Sequence, residues 1–232
     1  MQLFYAPNIS SNSELPAEEA AHCVRVLRLS EGSEIQLTDG KGSFFKAVIA
    51  SAHAKHCIVN IVEQTTPTPL WNFHLHIALA PTKNMDRTEW FTEKATEIGI
   101  NEITCIRCEH SERKEVKMAR LEKTAISAMK QSQKATLPTL HEMIPFKTFI
   151  EQPFNGRKFI AHCEKETKQE LKTLYSPNEN ALILIGPEGD FSPEEIRLAL
   201  AKGFEPISLG KSRLRTETAA LAACHTLHVL NL

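Results

Sequence analysis

Ala181-Leu182-Ile183-Leu184-Ile185-Gly186-Pro187-Glu188-Gly189-Asp190-Phe191-Ser192-Pro193-Glu194-Glu195 carries the decision about fold. Its first five residues are apolar without alternation, the pattern of a strand buried on both faces of a parallel sheet. Gly186 and Gly189 bracket a turn in which the backbone can take positive φ or approach a ligand closely. Ser192-Pro193-Glu194-Glu195 then starts a helix, with Ser as N-cap, Pro at N1 and Glu at N3. Lys202-Gly203 ends it. A strand that opens through a loop into a helix is where an α/β protein binds ligands.

A second junction follows. Pro206 to Leu209 reads as a strand, Gly210-Lys211-Ser212-Arg213-Leu214-Arg215 as a cationic loop, and Thr216 to Leu230 as a closing helix. Glu217 suits a helix start through the dipole, whereas Arg215 works against it, which favours a functional arginine. Neither loop is a GxGxxG or GxxxxGK[ST] fingerprint, so a dinucleotide-dependent enzyme is disfavoured.

Upstream, strands and helices alternate: strands at Phe73 to Leu79, Glu102 to Ile106 and Lys158 to His162, and helices from Asp86 to Ile98 and from Arg113 to about Gln133. Asp86 is the expected N-cap of the first helix, with Trp90, Ala95 and Ile98 on its inner face. Pro138 to Asn155 reads as irregular, anchored by Phe146, Phe149 and Ile150. The first 66 residues differ: a short helix (Pro16 to Leu27), then strands at Glu34 to Thr38, Phe44 to Ile49 and Cys57 to Val62, with a hairpin signal at Asp39-Gly40-Lys41-Gly42. Thr65-Thr66-Pro67-Thr68-Pro69 marks the boundary, giving domains 1–66 and 72–232.

Composition is that of a soluble globular chain of 232 residues with a net charge of −1, which argues against charge-driven nucleic-acid binding. Residues 107–134 nevertheless hold eight cations against four acids. The six cysteines are scattered, as reduced thiols in a cytoplasmic protein are. Cys105-Ile106-Arg107-Cys108 lacks further ligands at zinc spacing, so no metal is expected. No leader and no apolar run of membrane-spanning length is apparent, and no membrane partner is expected.

The two C-terminal stretches, together with Lys83, Arg87, Glu93-Lys94-Ala95-Thr96-Glu97-Ile98-Gly99, Ser111-Glu112-Arg113 and His22-Cys23-Val24-Arg25-Val26-Leu27-Arg28, resemble the RsmE family, the 16S ribosomal RNA uracil-N3 methyltransferases of the SPOUT superfamily. The resemblance spans nearly the whole chain. It implies a PUA-like N-terminal β-barrel joined to a SPOUT α/β domain with a deep trefoil knot, a homodimer, and S-adenosyl-L-methionine as cofactor. It also implies methyl transfer to N3 of a uridine, conventionally 1498, in the 16S rRNA of the 30S subunit. Carried over by position, Ala161, His162, Ile185, Gly186, Pro187, Glu188, Gly189, Leu209, Gly210, Leu214, Thr216 and Thr218 bind the cofactor. N3 carries a proton, so Arg215 is expected to stabilise the uracil anion, with Glu217 as the alternative general base. Arg25, Arg28, Arg113, Lys114 and Lys134 are the expected RNA contacts.

Three departures from the family pattern stand out. Asp190 replaces a second glycine, Lys130-Gln131-Ser132-Gln133-Lys134 ends in Lys rather than Arg, and no Arg occurs between Met1 and Tyr5. The rival reading, a non-catalytic RNA-binding module, predicts RNA binding without cofactor affinity.

Overall fold

The fold is taken from a computed structural model that describes residues 2–69, 71–164 and 168–232. The chain divides into two compact units: Met1–Leu70 with Ile126–Leu137, and Trp71–Ala125 with Pro138–Leu232.

In the first unit β1 (Leu3–Tyr5) is followed by α1 (Ala17–Ala21), which passes into a π-helical turn at His22–Val26. Three antiparallel neighbours come next, β2 (Glu34–Thr38), β3 (Phe44–Ser51) and β4 (Ile58–Thr65), and β1 pairs parallel with β2. Among the described residues this is a four-stranded sheet in the order β1-β2-β3-β4. The expected hairpin at Asp39–Gly42 is present, and Gly40 and Gly42 both take positive φ. Phe4, Ile35, Leu37, Phe45, Ile49 and Val59 form its core. Residues 126–137, which the sequence assigns to the second domain, belong here: Thr38 donates to the Ala135 carbonyl at 3.1 Å, and Lys130 pairs with Glu19 at 2.6 Å.

The second unit is an all-parallel sheet. Its elements are β5 (Leu75–Leu79), α2 (Met85–Ile98), β6 (Glu102–Arg107), α3 (Met118–Gln131, whose last turns fall in the first unit), β7 (Thr139–Pro145), α4 (Phe146–Phe149), β8 (Arg157–Ala161), β9 (Gln169–Glu170), α5 (Leu171–Leu174), β10 (Ala181–Ile185), α6 (Pro193–Ala201), β11 (Glu205–Ser208) and α7 (Thr216–Leu230). The strand order is β7-β6-β5-β10-β8-β11-β9. All five residues of β10 are buried, as the unbroken apolar run requires. Alternation divides its side chains. Ala181, Ile183 and Ile185 meet Phe91, Ala95, Ala220 and Leu227 of α2 and α7 on one face. Leu182 and Leu184 meet Phe146, Ile196 and Phe204 on the other.

Several expectations shift. Residues 139–145, read as irregular, form edge strand β7, although Phe146, Phe149 and Ile150 do anchor the segment. The long polar helix begins at Met118 rather than Arg113. The N-cap of α2 is Asn84, whose side chain accepts from the Asp86 N–H, because Asp86 already lies inside the first turn. Trp90 is turned outward, 42% exposed, and Phe91 shares the inner face with Ala95 and Ile98. The capping box of α6 is as expected, with Ser192 and Glu195 exchanging both bonds. Gly99 ends α2 at φ +115°, and a Cβ there would approach Trp71 to 2.8 Å, so glycine is required twice over.

Ile183 is fully buried in the central strand. Ile183→Ala should therefore lower unfolding stability by about 2–5 kcal/mol. Chemical denaturation checks this, with a shifted midpoint and an unchanged slope expected.

Candidate functional site

Parallel strands deliver their C-terminal ends to one edge of the sheet, and there the backbone loses its ladder partners. β8, β10 and β11 end side by side, and their loops enclose a cavity of about 810 Å³. Three side chains tie the loops together. The Thr216 hydroxyl donates to the Gly186 carbonyl at 3.0 Å, joining the loop after β11 to that after β10. The Glu188 carboxylate accepts from the Lys83 N–H at 2.9 Å, joining the β10 loop to the segment after β5. Asp190 accepts from the Cys163 N–H at 2.7 Å, joining it to the loop after β8.

Asp190 resolves one departure from the family pattern. It sits at φ +66°, the left-handed conformation that glycine would take, which Asp tolerates better than most residues. Its carboxylate bonds the Phe191 N–H as well as that of Cys163, a tie that glycine lacks.

Of the twelve expected cofactor residues, ten line the cavity: Ala161, His162, Ile185, Gly186, Pro187, Glu188, Leu209, Gly210, Leu214 and Thr216. Gly189 and Thr218 do not. Gly189 instead packs close to His110, where an added Cβ would lie 3.1 Å from the His110 Cβ, and Thr218 faces outward on α7. Asp190 and the cationic-loop residues Ser212 and Arg213 line the cavity as well, as do Cys163, Lys168 and Ala219, which the sequence reading passed over because their value lies in being neighbours across loops.

Arg215 is the N-cap residue of α7, exposed, and a wall of the cavity. Among the described residues it has no hydrogen-bond or ion-pair partner. Glu217 is placed elsewhere. It is only 7% exposed, does not line the cavity, and has Oε1 3.9 Å from Arg87 Nε.

The expected RNA contacts separate too. Arg25, Arg28 and Lys114 are exposed. Arg113 is half-buried and donates to the Thr82 and Lys83 carbonyls at 3.2 and 2.5 Å, so it fixes the segment after β5. Lys134 is half-buried, and burial pushes its ammonium pKa down. The CxxC thiols are inert. Cys105 and Cys108 are buried, and burial, followed by the Glu142 charge, raises Cys105 to about 12.

The cavity suits S-adenosyl-L-methionine by its donor set. Ile185, Leu209, Leu214 and Ala219 offer an apolar wall, the loop backbones offer amide groups, and Lys211 and Arg213 offer cations for a carboxylate.

The RNA methyltransferase domain family matches residues 69–228, and the RNA methyltransferase PUA domain family matches residues 15–62. The Rickettsia conorii ribosomal RNA small subunit methyltransferase E is 30% identical over 224 residues, covering 95% of this chain and 91% of that protein. A probable rRNA methyltransferase from Porphyromonas gingivalis is 47% identical with a TM-score of 0.94, over 100% of this chain and 98% of that one. A methyltransferase from Legionella pneumophila, solved with bound SAM, is 29% identical with a TM-score of 0.89, covering 100% and 98%.

The loop ties make a prediction for S-adenosylhomocysteine affinity, read by calorimetry. Asp190→Asn keeps an acceptor oxygen and left-handed tolerance and should bind within a few-fold of wild type. Asp190→Ala loses both and should bind about tenfold more weakly, or about 1.4 kcal/mol. Equal affinity of the alanine variant would show that the tie does not shape the pocket.

Proposed function

For this chain, which belongs to the RNA methyltransferase family, we propose methyl transfer from S-adenosyl-L-methionine to N3 of a uridine in the 16S rRNA of the small ribosomal subunit. The observation that carries the reading is the cavity at the ends of β8, β10 and β11, with Arg215 unpartnered on its wall among the described residues.

When bound, the cofactor supplies a methyl group made electrophilic by its sulfonium. The protein's share is binding, orientation and charge. Gly186, Pro187, Leu209 and Gly210 would hold the adenosine through backbone groups, and Ile185, Leu214 and Ala219 would shield it from water. Uracil N3 becomes a nucleophile only as its proton leaves, and the charge then spreads to the flanking carbonyl oxygens. The Arg215 guanidinium, carried at the N-cap of α7, meets that developing charge. Glu217, buried beside Arg87, acts on the site as a packing and charge partner between α2 and α7. N3 lies on the Watson–Crick edge, so the target uridine enters unpaired or flipped.

Arg25, Arg28 and Lys114 are the proposed phosphate contacts, with the first unit as the RNA platform and the second as the catalytic domain. The finer architecture is proposed on the same grounds. The C-terminal segment forms a trefoil knot, supported by β10 lying between β5 and β8 and by α7 returning over β5 and β10. Two copies assemble, with the site at their interface, an assembly supported by the resemblance of the two C-terminal motifs. Among the described residues no helix is long and apolar enough to cross a membrane.

The test is tritium transfer from labelled cofactor to 30S subunits. Arg215→Ala should lower kcat by about 10²–10³ with cofactor affinity nearly unchanged, and Arg215→Lys should recover part of it. Wild-type turnover in Arg215→Ala removes the residue from the mechanism. Absence of S-adenosylhomocysteine binding in the wild type would favour the RNA-binding module instead.

A further inference from the structure

The N-terminal ends of the parallel strands lie at the opposite edge of the sheet from the cofactor loops. There His74 immediately precedes β5, His76 is its second residue, Glu102 starts β6 and His141 lies in β7. The register sets His76 beside Glu102 and Thr104 beside His141. Residues two apart share a face, so all these side chains project to the side of the sheet covered by Phe149 and Phe154.

Three imidazoles converge on one carboxylate. His141 Nε2 and His76 Nδ1 lie 3.0 and 3.4 Å from Glu102 Oε2, and His74 Nε2 lies 3.0 Å from Oε1. One donor atom each from His76, Glu102 and His141 falls within 4.8 Å of the other two. Zinc bonds of about 2.0–2.1 Å place tetrahedral ligands roughly 3.3 Å apart, close to these separations. The remaining nitrogen of His76 is also committed: Nε2 is 2.8 Å from Thr104 Oγ1. A metal-bound histidine uses that second hydrogen bond to fix its tautomer and ring plane.

We propose that His76, Glu102 and His141 bind one divalent transition-metal ion of the zinc class, with His74 held by the other carboxylate oxygen and water completing the coordination. The two-imidazole, one-carboxylate donor set suits zinc and not magnesium, which prefers oxygen. Access is provided by His141, whose side chain is 43% exposed, while His76 at 9% forms the floor. The ion would clamp edge strand β7 to β6 and β5. It stands apart from methyl transfer and does not depend on it.

The experiment uses the full untagged chain, stripped with a chelator and dialysed. Zinc chloride should bind by calorimetry at one strong site per chain and raise Tm by about 5 °C or more at hundredfold excess over Kd, with magnesium chloride inert. Cobalt(II) should give visible d–d bands that zinc abolishes. His141→Ala and the isosteric Glu102→Gln, each checked for native circular dichroism, should lose the bands and bind at least tenfold more weakly. An unchanged Tm and no cobalt bands in the wild type overturn the proposal, leaving Glu102 a hydrogen-bond acceptor for three imidazoles. Retention of the bands in both variants overturns it as well, placing the ion elsewhere, such as at exposed Cys163 or the stacked His53–His56 pair.

Discussion

The structure depends on parallel pairing of β10 with both β5 and β8. Once that strand is buried on both faces, its neighbours must run the same way and release their chains at one edge. Backbone groups at that edge lose ladder partners and need others. The partners come from Thr216, Glu188 and Asp190, each reaching to a different loop. The bonds that satisfy the strand ends are therefore the bonds that shape the pocket, and stability and preorganisation have the same origin here.

Arg215 is the local exception to that economy. A cation at a helix N-terminus opposes the dipole, and no partner among the described residues compensates it. Such a violation of a local rule is what a functional site looks like when its charge is reserved for a transient anion. Glu217, two residues on, obeys the rule and is buried beside Arg87. The motif offers Arg215 first and Glu217 as the alternative base, and the two differ in placement: Arg215 lines the cavity and Glu217 is buried beside Arg87.

Much was legible in the sequence because the signals were local. The apolar run 181–185, the capping box at Ser192 and Glu195, and the span of α7 all follow from adjacent residues. The misreadings arose where tertiary contacts decided. Strand β7 is half-buried and carries polar residues at an edge, so it lacks the continuous apolar run of a central strand. The cap of α2 is Asn84, and Phe91 rather than Trp90 joins Ala95 and Ile98 on the inner face. The loops of the pocket were found by motif, but Asp190's carboxylate tie to Cys163 was not, since 27 residues separate them. The imidazole cluster around Glu102 was invisible for the same reason: its members lie on three strands, with 39 residues between Glu102 and His141.

The most direct measurement is nucleoside mass spectrometry with primer-extension mapping of 16S rRNA from a strain lacking this gene, with and without the chain restored. Loss of a single 3-methyluridine on deletion, and its return with the wild-type chain but not with Arg215→Ala, is the predicted result. A 3-methyluridine that persists in the deletion strain, or a methyl group restored at another base or atom, would contradict uracil-N3 methylation by this protein.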